Sequence, residues 1–499
     1  MSKKKKNICI FAFAAVFLLY IKNIFFSLQT DEQYFMVLSQ KIAGGADLFK
    51  DCFELHQTSA VFTAIALQLK YLITGGSTTG DMLYLKFVGL CTHCLITFLI
   101  YRMVKTKYPD KAFVTAFLFF SFTPKLSVMP DYALMQYHLI GLIMVMYITE
   151  KRDPAWLGVL GGLLTIVYPP FIIFPVLLVF LIGKKDRIWY IATYMVTGVI
   201  YFFFFIHENI LYIINVFGSS MHSMSLPEKI LSYVKIDYLQ IILLAICMMV
   251  LLIKKIPRKQ AYVCVSVILL IPECICIYLH KPLVYNIPLA VIAYVAFTEI
   301  DKRYRHLAYT ILCLPLLQIM IGNQSGFICL RYVFPLFLIW FMTRTTDIHV
   351  VDALLVTLLI LPLCIITRGF YISQDGFDKV DDGSLKGIYV SSLLKEKIET
   401  LEVISQNIDA SDILIMDSDT ALYDYAGISM NCPNVINTPV FSQQFLDYYD
   451  TSGMPGCIVK FIDAGIIDYD DAYEEAVKEN YEIRKCGKAL VFLEKENEL

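Results

Sequence analysis

The chain is 499 residues long, 58% hydrophobic and only 17% charged, with a mean hydropathy of +0.62 and a formal net charge of -2. Soluble globular proteins are nearer half apolar and a quarter charged, so the composition excludes an ordinary soluble domain and points to a membrane protein. The absence of a large basic field, zinc-finger spacing or a Walker-type glycine loop argues against nucleic-acid and nucleotide partners.

The N-terminus carries four consecutive lysines, Lys3 to Lys6, followed by an apolar run over 8–28 that is long enough to cross a bilayer. No small-x-small cleavage site follows it, so this reads as an uncleaved first span with the lysines in the cytoplasm. That orientation puts Asp31 and Glu32 just outside. Two adjacent carboxylates at a membrane edge are either functional or a cap on the helix that follows, and position alone leaves both readings open.

Residues 29–81 read as a long outer loop. Its apolar stretch 57–73 is expected to lie along the outer surface, since a crossing there would leave Arg102, Lys105, Lys107 and Lys111 outside. Phe49, Phe53, Phe62, Tyr71 and Leu72 would press it on the membrane. Spans are then predicted at about 82–103, 112–128, 132–149, 155–168, 169–183, 188–206, 238–253, 261–279, 283–299, 307–322, 330–342 and 348–366. The pair 155–168 and 169–183 meets at Tyr168-Pro169-Pro170, read as a tight outer turn, and an outer loop with amphipathic pieces occupies about 207–237. This makes about thirteen spans, with short basic loops inside and the long polar loops outside.

From about 368 the composition turns soluble. An amphipathic stretch at 391–407, a short apolar run at Ile413–Met416 and a closing apolar run at Ala489–Leu493 predict a small α/β domain outside the membrane. Asp417-Ser418-Asp419 follows the first of these strands and reads as a polar turn. The expected fold is thus an α-helical polytopic membrane protein, residues 1–367, with a small extracytoplasmic α/β domain, residues 368–499.

Fourteen cysteines are scattered through the chain and show no disulfide framework. Cys91 and Cys94 form a CxxC near Asp81 and His93, a weak zinc signal for which packing within a span is the plainer reading. The polar residues with chemical potential all fall at the outer side: Asp31, Glu32, Asp51, Glu54, His56 and Gln57 in the first loop, then Lys125, Asp131, Lys281, Arg331 and Tyr332. Carboxylates and cations sharing one membrane face suit transfer from an anionic lipid carrier. One carboxylate deprotonates the attacking group and cations hold the departing phosphate.

These residues resemble a family. Asp31-Glu32-Gln33-Tyr34, an amphipathic helix and the Gly44-Gly45 break are similar to the acidic opening of the GT-C glycosyltransferases, nearest the bacterial protein O-mannosyltransferase and lipid A aminoarabinose transferase branch. Asp131 after Pro130 resembles that branch's second acidic residue, and Arg331-Tyr332-Val333-Phe334-Pro335 its R-Y-x-x-P motif. Phe53-Glu54-Leu55-His56-Gln57-Thr58 stands where the branch has a K-P-P-L helix; its lysine and prolines are absent here.

The resemblance implies an inverting glycosyltransferase that moves one sugar from a polyprenyl-phosphate donor to a cell-envelope acceptor at the outer face of the plasma membrane. Asp31 would be the catalytic base, with Glu32 its catalytic neighbour in the acceptor site. Arg331, Tyr332, His56 and Lys125 would bind the donor phosphate, and Asp131, Glu54 and Asp51 would be acidic site partners. No cofactor is required, although Asp31, Asp131 and Glu54 would be the ligands of a divalent metal if one binds. A lipid-linked glycan flippase and a glycan polymerase or ligase are the alternatives.

Overall fold

The computed structural model describes residues 3–26, 28–52, 56–124, 128–206, 226–253, 300–321, 334–343, 377–407, 413–417, 419–425, 456–461, 481–487 and 489–494, with scattered positions between 208 and 271. The protein is mostly helical with a small C-terminal sheet region. Its helices are α1 Lys3–Phe26, α2 Thr30–Ala43, α3 Gln57–Thr74, α4 Asp81–Lys107, α5 Pro109–Ser121, α6 Tyr132–Ile148, α7 Pro154–Val167, α8 Ile173–Leu181 and α9 Arg187–Phe205. They continue with α10 Leu226–Leu252, α11 Arg305–Ile321 and α12 Phe334–Thr343, then α13 Ser392–Asn407 and α14 Leu422–Tyr425 in the C-terminal domain.

Most helix positions agree with the hydropathy pattern, but the expected count of spans does not carry over. Two described helices, α4 and α9, are long and apolar enough to cross a membrane, and α1 with α2 makes a third if that pair, bent by 68°, is taken as one. The physical reason is length. α5, α7 and α8 have 13, 14 and 9 residues, well short of the roughly 20 that a bilayer core needs. The expected spans 283–299 and 348–366 lie outside the described residues, and only scattered positions of 261–279 are described. Helix α10 begins at Leu226, inside what reads as an outer loop.

The helical body has two distinct ends, joined by α4 and α6. Helix α4, with 27 residues, is about 40 Å long at 1.5 Å per residue. At its C-terminal end Lys107 pairs with Glu150 at 2.6 Å and donates to the Ile148 carbonyl at 3.0 Å. Lys111 reaches the Met342 carbonyl at 2.9 Å, and the Arg152 guanidinium lies 4.0 Å from the Tyr147 ring centre. The C-terminal ends of α4, α6 and α12 therefore gather at one end, with Lys107, Lys111 and Arg152 around them. The starts of α2, α3, α4 and α6 form the other.

Glycine makes one close approach that matters there. A Cβ on Gly89 of α4 would sit 1.8 Å from the Val128 carbonyl oxygen and 2.8 Å from Pro130. Only a missing side chain lets the 128–130 segment lie on α4 and deliver Asp131 to the start of α6.

In the C-terminal domain, strands β3 Ile413–Met416, β4 Cys457–Phe461, β5 Tyr481–Cys486 and β6 Ala489–Glu494 form one sheet in the order β3-β4-β6-β5. β3 and β4 run parallel, with Ile413 opposite Cys457, and β6 runs antiparallel to both neighbours. β1 Phe377–Lys379 and β2 Tyr389–Ser391 form a separate antiparallel ribbon. Leu394, Ile398, Leu401 and Ile404 bury one stripe of α13, the spacing of an amphipathic helix.

Two expectations about the first loop are corrected by packing. Helix α2 is not amphipathic in place, because Glu32 through Lys41 are buried without a break. Nor do the expected aromatic residues face outward from the loop. Phe49 is fully buried beside Val61, Ile166 and Tyr201, and the Tyr71 hydroxyl donates to Asp81. The exposed stripe of α3 is Ile65, Leu69, Leu72 and Ile73. Of the expected side chains that are described, Leu72 alone belongs to it, since hydropathy cannot tell which apolar face a tertiary neighbour takes.

Candidate functional site

The site is built around the first turn of α2. Gln29 is its N-cap, so Thr30, Asp31 and Glu32 occupy the first three helical positions. Glu32 closes a capping box, its carboxylate accepting from the Gln29 backbone N–H at 3.0 Å. The same carboxylate oxygen meets the Lys86 ammonium of α4 at 3.0 Å, with both side chains almost wholly enclosed. A buried pair of this kind costs desolvation for each charge and is strongly destabilising to break from one side. Glu32 is thus committed to holding α2 against α4. Asp31, one residue earlier, is only half-buried, at a helix start where the backbone dipole favours negative charge.

The remaining polar residues of α2 each bind a different element. Ser39 shares a hydrogen bond with Thr63 of α3 at 2.5 Å, and Gln40 donates to Asp81 of α4 at 2.9 Å. Lys41 donates to the Asp51 carbonyl. Gln33 binds the C-terminal domain, its amide nitrogen donating to Asp419 at 2.9 Å and its oxygen accepting from the Ala421 N–H at 3.2 Å. Asp81 also holds Lys70 and Tyr71. Burial pushes the Tyr71 hydroxyl far above its ordinary pKa, with the bond to Asp81 adding to the rise.

The loop after α2 folds back on itself before α3. Asp51 accepts from the Asp47 N–H at 2.8 Å, so its carboxylate closes a turn. Phe49 adopts a left-handed backbone with φ of 64° and donates its N–H to Gln57 at 2.6 Å. A non-glycine residue in that region costs about 1–2 kcal/mol, which full burial of the ring offsets. The fold-back delivers His56 to the start of α3, where its carbonyl accepts from the Ser59 N–H and hydroxyl at 3.1 and 2.7 Å.

Four separated segments meet at His56. Its ring stacks on Tyr132 with centroids 3.7 Å apart and planes 8° from parallel, and lies 5.9 Å from Tyr168. Tyr34 of α2 approaches edge-on at 6.4 Å, and Tyr132 and Tyr168 lie 6.1 Å apart. Beside Tyr132, the buried Asp131 caps α6 by accepting from the Leu134 N–H at 2.8 Å. Tyr168 comes from the proline turn that the sequence marked only as a bend. The arrangement sets an imidazole among three tyrosine rings, with the half-buried Asp31 one helical turn before Tyr34, which suits recognition of a polar headgroup.

Of the residues expected in the site, Asp31, Glu32, Asp51, His56 and Asp131 are described. Glu54, Lys125, Arg331 and Tyr332 lie outside the described residues, as does Lys281. No group of three His, Cys, Asp or Glu side chains able to hold a metal occurs among the described residues. The two ring nitrogens of His93 contact His138 at 2.8 Å and the Phe120 carbonyl at 2.9 Å, and Asp81 is taken by Lys70, Tyr71 and Gln40.

Sequence reasoning gave no site role to Lys86, Gln33 or Tyr168. Lys86 did carry a signal, a lone cation one turn into an apolar helix, where a charge is costly without a partner. Gln33 carried none, since its partner lies 386 residues further along the chain. The chain matches no protein-family model and no curated protein.

Proposed function

We propose that the chain is an inverting glycosyltransferase of the GT-C kind, a polytopic membrane enzyme. It takes a single sugar from a polyprenyl-phosphate donor and gives it to a cell-envelope acceptor. The observation that carries this reading is the meeting of Tyr34, His56, Tyr132 and Tyr168, with Asp131 next to Tyr132 and Asp31 one helical turn before Tyr34, at the end of the helical body opposite Lys107 and Lys111. The basic end is the cytoplasmic one by the distribution of Lys and Arg, which puts the site at the outer face.

In the reaction the acceptor oxygen attacks the anomeric carbon from the side opposite the phosphate. The carbon–oxygen bond to the phosphate breaks with inversion, Asp31 receives the acceptor's proton, and polyprenyl phosphate departs as an anion. Glu32, tied to Lys86, holds the turn that presents Asp31. The test is to incubate the purified protein with labelled polyprenyl-phosphate sugar and membrane extract as acceptor. Release of polyprenyl phosphate is expected. Asp31→Asn should lower turnover by about 100- to 10,000-fold with unchanged folding. Near-normal turnover by that variant overturns the assignment of Asp31. Release of polyprenyl diphosphate from a polyprenyl-diphosphate-linked glycan offered as a parallel donor identifies a ligase instead, and no turnover with lipid movement identifies a flippase.

A further inference from the structure

The C-terminal domain grips the chain on both sides of the bend between α1 and α2. Before the bend, the Phe26 ring stacks on Tyr389 of β2, with centroids 4.4 Å apart and planes at 12°. After it, Gln33 inserts its amide between Asp419 and the Ala421 N–H. A glutamine fits this slot because it needs one donor and one acceptor on the same fork. Its acceptor partner is itself immobilised. The other oxygen of Asp419 takes the Lys397 ammonium at 2.9 Å, Lys397 also holds Asp417 at 2.8 Å, and the Asp419 N–H donates to Asp417 at 2.8 Å.

The domain also ties down the neighbouring start of α4. The Gly80 N–H donates to the Gly383 carbonyl at 2.9 Å and the Met82 N–H to the Ser384 carbonyl at 3.1 Å. Two helix starts are therefore held by backbone and side-chain bonds to one rigid body. Between Phe26 and Gln33 lies Asp31.

We propose that Gln33 is a positioning residue, through which the Lys397, Asp417 and Asp419 cluster fixes the first turn of α2 and thereby aims the Asp31 carboxylate. The role for Asp31 rests on the glycosyltransferase reading. The contact of Gln33 with the cluster does not. In this arrangement the C-terminal domain is a wall of the site, and its detachment loosens the turn without unfolding the helical body.

The test uses the full chain in lipid nanodiscs. Gln33→Glu sets a second carboxylate against Asp419, while Gln33→Met keeps the volume and removes both hydrogen bonds. Adding Asp419→Asn to Gln33→Glu restores a donor–acceptor pair. Amide exchange over residues 30–34 should quicken in both single variants and slow again in the double variant. Turnover of a polyprenyl-phosphate sugar should fall about 10- to 100-fold in kcat, with donor KM within about twofold, and recover in the double variant. Unchanged exchange at 30–34 in both single variants overturns the proposal, as does a double variant no better than Gln33→Glu. If exchange responds as expected but the unaltered protein releases no polyprenyl phosphate, the glycosyltransferase reading falls and the clamp stands without Asp31 as its target.

Discussion

Helices α2 and α9 are opposites in composition and in surroundings. α2 carries Asp31, Glu32, Gln33, Ser39, Gln40 and Lys41, yet ten of its 14 residues in a row are buried. α9 is apolar along nearly its whole length, yet only Tyr190 and Tyr201 of its 19 residues are buried among the described residues. Met195, Val196, Val199, Phe203 and Phe204 stand exposed. In water this inversion is expensive twice over. In a bilayer it is the expected pattern, because the lipid is as apolar as the outward side chains and polar groups are driven to pair inside. The difference between the two helices thus separates a hub, whose polar groups each select one partner, from an exposed apolar rim.

The sharpest way to break the comparison is at the buried pair of the hub. Lys86→Ala leaves Glu32 enclosed without its partner cation. It should cost about 3–5 kcal/mol, seen as lost thermal stability or failure to accumulate. Glu32→Gln combined with Lys86→Met should recover most of that loss in the same melting assay. If Lys86→Ala melts as the unaltered protein does, α2 is not anchored as described.

On the rim the expected effect is smaller and of a different kind. Val196→Asp, at the middle of α9, should oppose membrane insertion by about 2.5–3.5 kcal/mol, read as a larger glycosylation-mapped fraction outside the bilayer. Val196→Leu should change nothing. An aspartate that inserts normally would show that this surface faces protein or water.

The smallest effect belongs to the C-terminal domain where it meets the start of α4. Burial raises the Asp424 carboxyl above its ordinary value despite the bond from the Ser384 N–H, and nearby Asp81 adds to the rise. The folded state therefore binds this proton more tightly than the unfolded chain. That contribution favours folding at low pH and is lost as pH rises from the ordinary carboxylate range, about 4, through the folded value. Asp424→Asn should raise the melting temperature at pH 8 by a few degrees and leave it unchanged at pH 4. An equal loss at both pH values would show that its hydrogen bonds outweigh its charge.

Much of the architecture was legible along the chain. Runs of apolar residues bounded by Pro109, Pro154 and Pro169 mark where α5, α7 and the following turn begin, since proline suits a first helical turn and little else in a helix. Period and strand propensity likewise place α13, β3 and β6, because these signals are local. Asp31 and His56 stand out as polar residues in an apolar setting. What local pattern could not convey is which of two neighbouring carboxylates is spent on structure. Asp31 and Glu32 look alike until Lys86 pairs with Glu32.

The sequence by itself determined the apolar composition, most helix positions and the small C-terminal sheet region. These follow from hydropathy, period and chain stiffness, which act over a few residues. Only the tertiary structure decided that α2 is enclosed, that Tyr34, His56, Tyr132 and Tyr168 meet, and that Gln33 and Asp419 touch. Such contacts depend on bringing distant segments together, with a closure cost that grows slowly with separation and a reward set by partners that no local window contains.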